Sequence, residues 1–187
     1  MGKRLSKIYT RTGDLGETGL GDGNRIKKDH IRIQTIGSID ELNSYIGLCI
    51  ETLRDEDHDD LSSIKSFLEY NQHRIFDLGG EISIPGFKII NEDHVTKLES
   101  ALDELNANLA PLENFILPGG HKLIAIFHIC RSICRRAERD LVSLQEEEDI
   151  NVVSLRYLNR LSDYLFVTAR YTAYALKIDE VLWQKDI

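Results

Sequence analysis

An apolar stripe between Leu123 and Leu144 leaves this chain few folds to choose from. Leu123, Ile126, Cys130, Ile133, Cys134, Ala137, Leu141 and Leu144 recur at steps of three and four. At about 100° per residue that spacing aligns them on one face of a long helix. Such a face must be buried against other elements. Four further stripes supply partners. Ile39, Leu42, Ile46, Cys49, Ile50 and Leu53 form the first, and Ser38-Ile39-Asp40-Glu41 ahead of them has capping-box spacing. After an acidic turn, Asp55 to Asp60, come Leu61, Ile64, Leu68, Ile75 and Leu78, ending near Gly79-Gly80. Residues 83–91, with Pro85 and Gly86, read as a loop. Val95, Leu98, Leu102, Leu105 and Leu109 mark a helix closed by Pro111. Glu146-Glu147-Glu148-Asp149 is a polar link. Asn151 can cap a last helix carrying Leu155, Leu158, Leu161, Leu165 and Ala169 to about Lys177. No convincing strand or repeat is legible. The expectation is an all-α single domain over 1–187, a five-helix antiparallel bundle at 38–177 between a Gly-rich arm, 1–37, and a C-terminal tail, 178–187.

Charge narrows the partners. The net charge is −8, so neither nucleic acid nor an anionic membrane is an expected partner. No apolar run is long enough to span a bilayer and no signal peptide is evident, so a cytoplasmic protein is expected. Cys49, Cys130 and Cys134 are an odd set, each on an apolar stripe. Buried, reduced thiols fit this best. Cys130 and Cys134 have metal-ligand spacing, but no second Cys/His pair completes a site, so core packing is the expectation.

Against that background, any anion must be captured locally. The long helix stacks His128, Arg131, Arg135, Glu138 and Arg139 away from its apolar stripe. Arg is the planar, permanently charged donor suited to phosphate and carboxylate. Crowded Arg side chains repel unless an anion lies between them. A solvated helix face is the plain alternative. Ile8 to Gly23 is too rich in Gly for a helix or strand interior, and Arg25, Lys27 and Lys28 follow it. It is neither a Walker loop nor a dinucleotide fingerprint. Its backbone N–H groups, with Thr10, Thr12 and Thr18, are the parts of a phosphate cradle; an ordinary terminal arm would look similar. Asn159 and Asp163 share a face of the last helix, where a buried, satisfied Asn is the alternative to a binding role. Phe115, just before Ile116-Leu117-Pro118-Gly119-Gly120, reads by itself as a core aromatic ahead of a turn.

Taken together, five ordered motifs resemble one family. They are Tyr9-Thr10-Arg11-Thr12-Gly13-Asp14 with Gly16 to Gly23, Asp40 to Asn43, Phe115 to Gly120, His128 to Arg139, and Asn159 to Asp163. The chain is similar to the PduO-type ATP:cob(I)alamin adenosyltransferases from about Ile8 to Lys177. Ser38 stands where an acid or Thr is often expected. The resemblance implies a homotrimer of ferritin-like five-helix bundles, with active sites between subunits. It implies ATP contacts at Thr10, Arg11, Thr12, Gly13, Thr18, Gly19, Lys28, Arg135, Arg136, Ala137, Glu138, Arg139 and Asn159. It pairs Asp40 with Arg131 across a subunit boundary and lays Phe115 against the corrin ring. Mg²⁺ would come with ATP, with Glu138 an acid that could meet it and no dedicated protein metal site. An electron-donating reductase would serve the reaction, and an adenosylcobalamin-dependent acceptor enzyme is a further implied partner.

The implied chemistry suits these residue types. Co(I) is itself a strong nucleophile, so Ser, Cys or His need not supply one. What remains is charge on the leaving triphosphate, which Arg, Lys, backbone N–H and Mg²⁺ can stabilise. An apolar wall at Phe115 would exclude an axial ligand and so ease reduction to Co(I). Two other classes are distinguishable. A binding chaperone would need the cradle but not Phe115 and Asn159 together. A di-iron bundle would need paired Glu-x-x-His motifs, and the sequence has none.

Overall fold

The computed structural model describes residues 8–56 and 58–185; the expected arm, tail and acidic turn extend in part to residues 1–7, 186–187 and 57, outside that range. Five helices account for most of it: α1 (Ile31–Arg54), α2 (Ser62–Ser83), α3 (Glu92–Asn106), α4 (Lys122–Gln145) and α5 (Val152–Ala175). Helix α4 packs on α1 and α5, α2 on α1, and α3 on α5. The core is the set of five stripes: Leu42, Leu68, Leu98, Cys134 and Leu161, one from each helix, are all fully buried. Truncating such a Leu to Ala costs about 2–5 kcal/mol, because little can relax into the cavity. The three thiols are free and buried, as their positions on the stripes imply.

Helix ends follow local chemistry. Asn151 accepts from the Val153 N–H at the start of α5. Asn91 and His94 form a reciprocal capping box at α3. The expected start of α1 needs correction. The helix begins at Ile31, seven residues before Ser38, with the His30 ring accepting from the Arg32 N–H. Ser38 lies in the helix interior and donates its hydroxyl to Asp140 on α4. Its spacing to Glu41 imitates a cap because side-chain polarity alone cannot say whether the N–H groups ahead are already paired. Two further boundaries shift. Helix α2 runs through Gly79 and Gly80 to Ser83, and α3 stops at Asn106, with Leu109 still packed on the core beyond it.

The arm contains a short antiparallel hairpin that the sequence did not suggest. Strand β1 (Glu17–Gly19) pairs with β2 (Arg25–Lys27), Thr18 opposite Ile26. Three-residue strands are too short to show alternation. The turn between them closes through Leu20 N–H to Asn24 C=O at 2.8 Å and Asn24 N–H to Asp22 Oδ1 at 2.9 Å.

Candidate functional site

Three groups of residues make up the candidate site, and each sits on a different kind of support. The first is the arm. Thr10 and Thr12 share a hydroxyl–hydroxyl hydrogen bond of 2.9 Å. Arg11 between them adopts φ 62°, a left-handed conformation that Arg rarely takes, and its guanidinium lies 5.7 Å from the Tyr9 ring centre. The chain then folds back, so that Lys28 N–H reaches the Gly16 carbonyl at 2.9 Å. A β-carbon built on Gly13 would lie 3.2 Å from the Lys28 ammonium and 3.1 Å from the Glu17 carbonyl. Arg25 donates to the Thr12 carbonyl at 2.7 Å. The hairpin thereby gathers Thr10, Thr12, Gly13 and Lys28 around one bend, which a linear reading could not establish.

The second group is the exposed side of α4. Residues 131, 135 and 139 are one turn apart and share a face. Arg135 and Arg139 are exposed, and neither has an ion-pair partner among the described residues. Arg136 is paired with Glu41 of α1. Glu138 accepts from the Asn159 side-chain amide N–H at 3.0 Å, Arg160 donates to Asn159 Oδ1 at 2.7 Å, and Arg160 also reaches Glu99 at 2.8 Å. Asn159 is thus a partly buried, hydrogen-bonded residue that still borders the Arg face. Ala137 is fully buried in the stripe, which leaves its backbone as the part near that face. Asp40 is exposed and makes no pair with Arg131 within the chain; the Arg131 Nε is buried without a partner.

His128 departs from expectation. It is 3% exposed, inside the bundle, with its ring 6.1 Å from that of Phe166. Burial, then the nearby Arg131 charge, lowers its pKa, while Glu180 opposes them. The apolar face of α4 is wider than the stripe suggested, because α5 and the C-terminal tail cover a second flank.

The third group is the loop before α4. Phe115 is 78% exposed, so the reading of a core aromatic does not hold. It is nevertheless held in place. Ile116 bridges Leu182 of the tail in antiparallel register, and Leu117 N–H donates to the Val181 carbonyl at 2.7 Å. Leu112, Phe115 and Trp183 line an open apolar recess of about 350 Å³. Trp183 is a residue of this recess that the sequence reading missed. Its only signal was compositional: it is the single Trp of the chain. An exposed Phe and Trp over a recess mark an interaction surface rather than core.

The fold and these three groups define a helical bundle with an open Arg face and a separate apolar platform. Comparison with known proteins supplies the class. The cobalamin adenosyltransferase family model matches residues 8–172, and the chain belongs to that family. It is 50% identical over 186 residues to a cobalamin adenosyltransferase of Cupriavidus metallidurans, covering 100% of this chain and 98% of the relative. It is 42% identical over 183 residues to the corrinoid adenosyltransferase of Bacillus subtilis, covering 96% and 93%. Among solved structures, a variant PduO-type ATP:corrinoid adenosyltransferase from Lactobacillus reuteri, complexed with cobalamin and ATP, superimposes with a TM-score of 0.88 at 34% identity, covering 96% of this chain and 100% of that one.

Proposed function

We propose that this chain is an ATP:corrinoid adenosyltransferase that moves the 5′-deoxyadenosyl group of ATP to the cobalt of a reduced corrinoid. The observation that carries this reading is a pairing on one chain: an Arg face with two unpaired guanidiniums, and an exposed Phe115 on a loop tied down by the tail. The first suits a triphosphate, the second a large apolar ring. Family membership and the named activities of the relatives point the same way.

In this reading, Thr10, Arg11, Thr12, Gly13, Thr18, Gly19 and Lys28 hold ATP from the arm. Arg135, Arg136, Ala137, Glu138, Arg139 and Asn159 hold it from α4 and α5. Co(I) attacks the 5′ carbon; the Co–C bond forms with the cobalt electron pair as the C5′–O bond breaks, and triphosphate leaves with that bond pair. Arg and Lys stabilise charge that grows on the leaving oxygen, and donors fixed in advance do this best. Among the described residues no group of three or more His, Cys, Asp and Glu side chains is arranged for a metal ion. In the same reading Mg²⁺ enters as part of the MgATP substrate, with Glu138 the acid in the Arg run that could meet it. Phe115 walls the lower cobalt face, so that Co(II) is four-coordinate when an external reductase delivers the electron.

Asp40 and the Arg131 Nε are complementary groups without partners among the described residues. Their pairing across copies is part of the proposal, with a homotrimer and sites between subunits. No helix among the described residues is long and apolar enough to cross a membrane; a cytoplasmic location and delivery of the product to an acceptor enzyme belong to the same reading. The test is a spectrophotometric assay with MgATP and chemically reduced cobalamin. Appearance of the alkyl-cobalt spectrum with one triphosphate per turnover is expected. Tight binding of both substrates without that product would instead identify a carrier.

A further inference from the structure

The last turn of α2 joins the 84–91 loop, the start of α5 and the hairpin of the arm. Glu81 is 3% exposed, yet it carries a carboxylate. Its Oε2 accepts from Ile89 N–H at 2.7 Å, Ile90 N–H at 2.9 Å and the Asn151 amide at 3.2 Å, and its Oε1 accepts from the Ser154 hydroxyl. One buried acid thus binds the 84–91 loop and the start of α5 to α2. The next residue is gripped from the other side. Arg32 of α1, itself buried, donates to the Ile82 carbonyl and is paired with Glu148. Ser83 follows directly. The Gly21 N–H, in the turn of the arm's hairpin, donates both to the Ser83 carbonyl at 2.9 Å and to its Oγ at 3.0 Å.

The fit at Gly21 is close. A β-carbon there would lie 2.6 Å from Ile84 Cγ1 and 3.1 Å from Ser83 Oγ. Ile84 is β-branched, so its side chain cannot swing freely out of the way. A hairpin of two three-residue strands has little stability of its own, so its placement depends on this contact. A buried polar group with every partner in place is rigid, and rigidity is what a docking point requires.

We propose that Glu81, Ile82 and Ser83 form a bracket that positions the Gly-rich hairpin for ATP, with Glu81 and Ser83 as positioning residues. They touch no substrate; they act by fixing where Gly21, and through it Gly13, Thr18 and Lys28, can stand. The proposal rests on the reading that this hairpin binds ATP.

The experiment uses full-length protein and four forms: wild type, Gly21→Ala, Ile84→Ala and the double variant. Gly21→Ala should raise KM for MgATP about tenfold, the equivalent of about 1.4 kcal/mol, with KM for reduced cobalamin unchanged. Trypsin should also cut at the exposed Arg25 faster than in wild type. Ile84→Ala removes the obstructing Cγ1 and Cδ1, so the double variant should recover most of the loss relative to Ile84→Ala alone. An unchanged KM for MgATP in Gly21→Ala would overturn the bracket, as would an equal rise for both substrates or no recovery in the double variant. If Gly21→Ala fails to fold, Ser83→Ala, which removes only the hydroxyl acceptor, must show a smaller ATP-specific rise, and its absence overturns the proposal equally. Should wild type itself give no adenosyl transfer, the parent reading fails; trypsin cleavage then still reports whether the bracket holds the hairpin.

Discussion

Trp183 donates its backbone N–H to the Phe115 carbonyl at 2.8 Å, and its ring stands edge-on to the Phe115 ring, 6.4 Å between centroids at 83°. The tail therefore fixes the backbone of the very residue whose side chain is left open. If that side chain keeps a fifth ligand off cobalt, its loss should act on turnover rather than on ATP. Phe115→Ala should lower kcat most strongly when Co(II) reduction is part of the assay, with KM for ATP little changed. Electron paramagnetic resonance of the Co(II) complex with ATP should show a five-coordinate signal in the variant. The same four-coordinate signal and the same rate in both proteins would remove Phe115 from the mechanism.

Arg135 is exposed on α4 with no ion-pair partner among the described residues, so it has no structural bond to lose. Arg135→Ala should leave thermal stability near that of wild type and reduce catalytic efficiency with ATP. The loss of one charge-assisted contact corresponds to about 1.5–3 kcal/mol. Steady-state kinetics alongside a melting curve separates the two effects. Wild-type efficiency would place the triphosphate elsewhere.

Asp40 and Arg131 have no ion-pair partner among the described residues, and there the buried Arg131 Nε lacks an acceptor. If copies of the chain pair them, Asp40→Asn should weaken assembly and activity together, by about 3–5 kcal/mol for one side of a buried pair. A charge-swapped double variant should regain part of that loss. Sedimentation gives the oligomeric state. A fully assembled and fully active Asp40→Asn protein would make the pair irrelevant.

His128 predicts a pH dependence of stability. Burial holds its pKa below the ordinary 6.5, with Arg131 adding to the shift and Glu180 opposing it. The unfolded chain then takes up a proton near pH 6.5 while the folded chain does not. Stability should fall as pH drops from about 6.5 toward the folded pKa, with a slope of up to about 1.4 kcal/mol per pH unit from this group. Denaturant unfolding at pH 7.5, 6.5 and 5.5 measures it. His94, also lowered, contributes to the same slope, so His128→Leu should flatten the curve in part. No change of slope in that variant would contradict the assignment.

Periodicity determined the helices of this protein. Each stripe, from Leu42 to Leu161, names its own buried face because a 3.6-residue repeat is a local property of the chain. Arg135 and Arg139 were legible as an open face for the same reason. Helix starts were less so: Ser38 with Glu41 has the spacing of a cap, but a cap is defined by which N–H groups lack partners, and inside α1 those of Ile39 to Glu41 are already paired one turn back. His128 shows the limit of the stripe itself, since its burial is imposed by α5 and the tail. Phe115 and Trp183 lie 68 positions apart, and only the antiparallel bridge of Ile116 with Leu182 brings them to one recess. Gly21 and Ser83 are similar: two residues, 62 positions apart, that meet because α1 and α2 return the chain to the base of the arm. Periodic burial is encoded residue by residue, whereas contacts between loops depend on where the packed helices leave their ends, and that was decided by the tertiary structure alone.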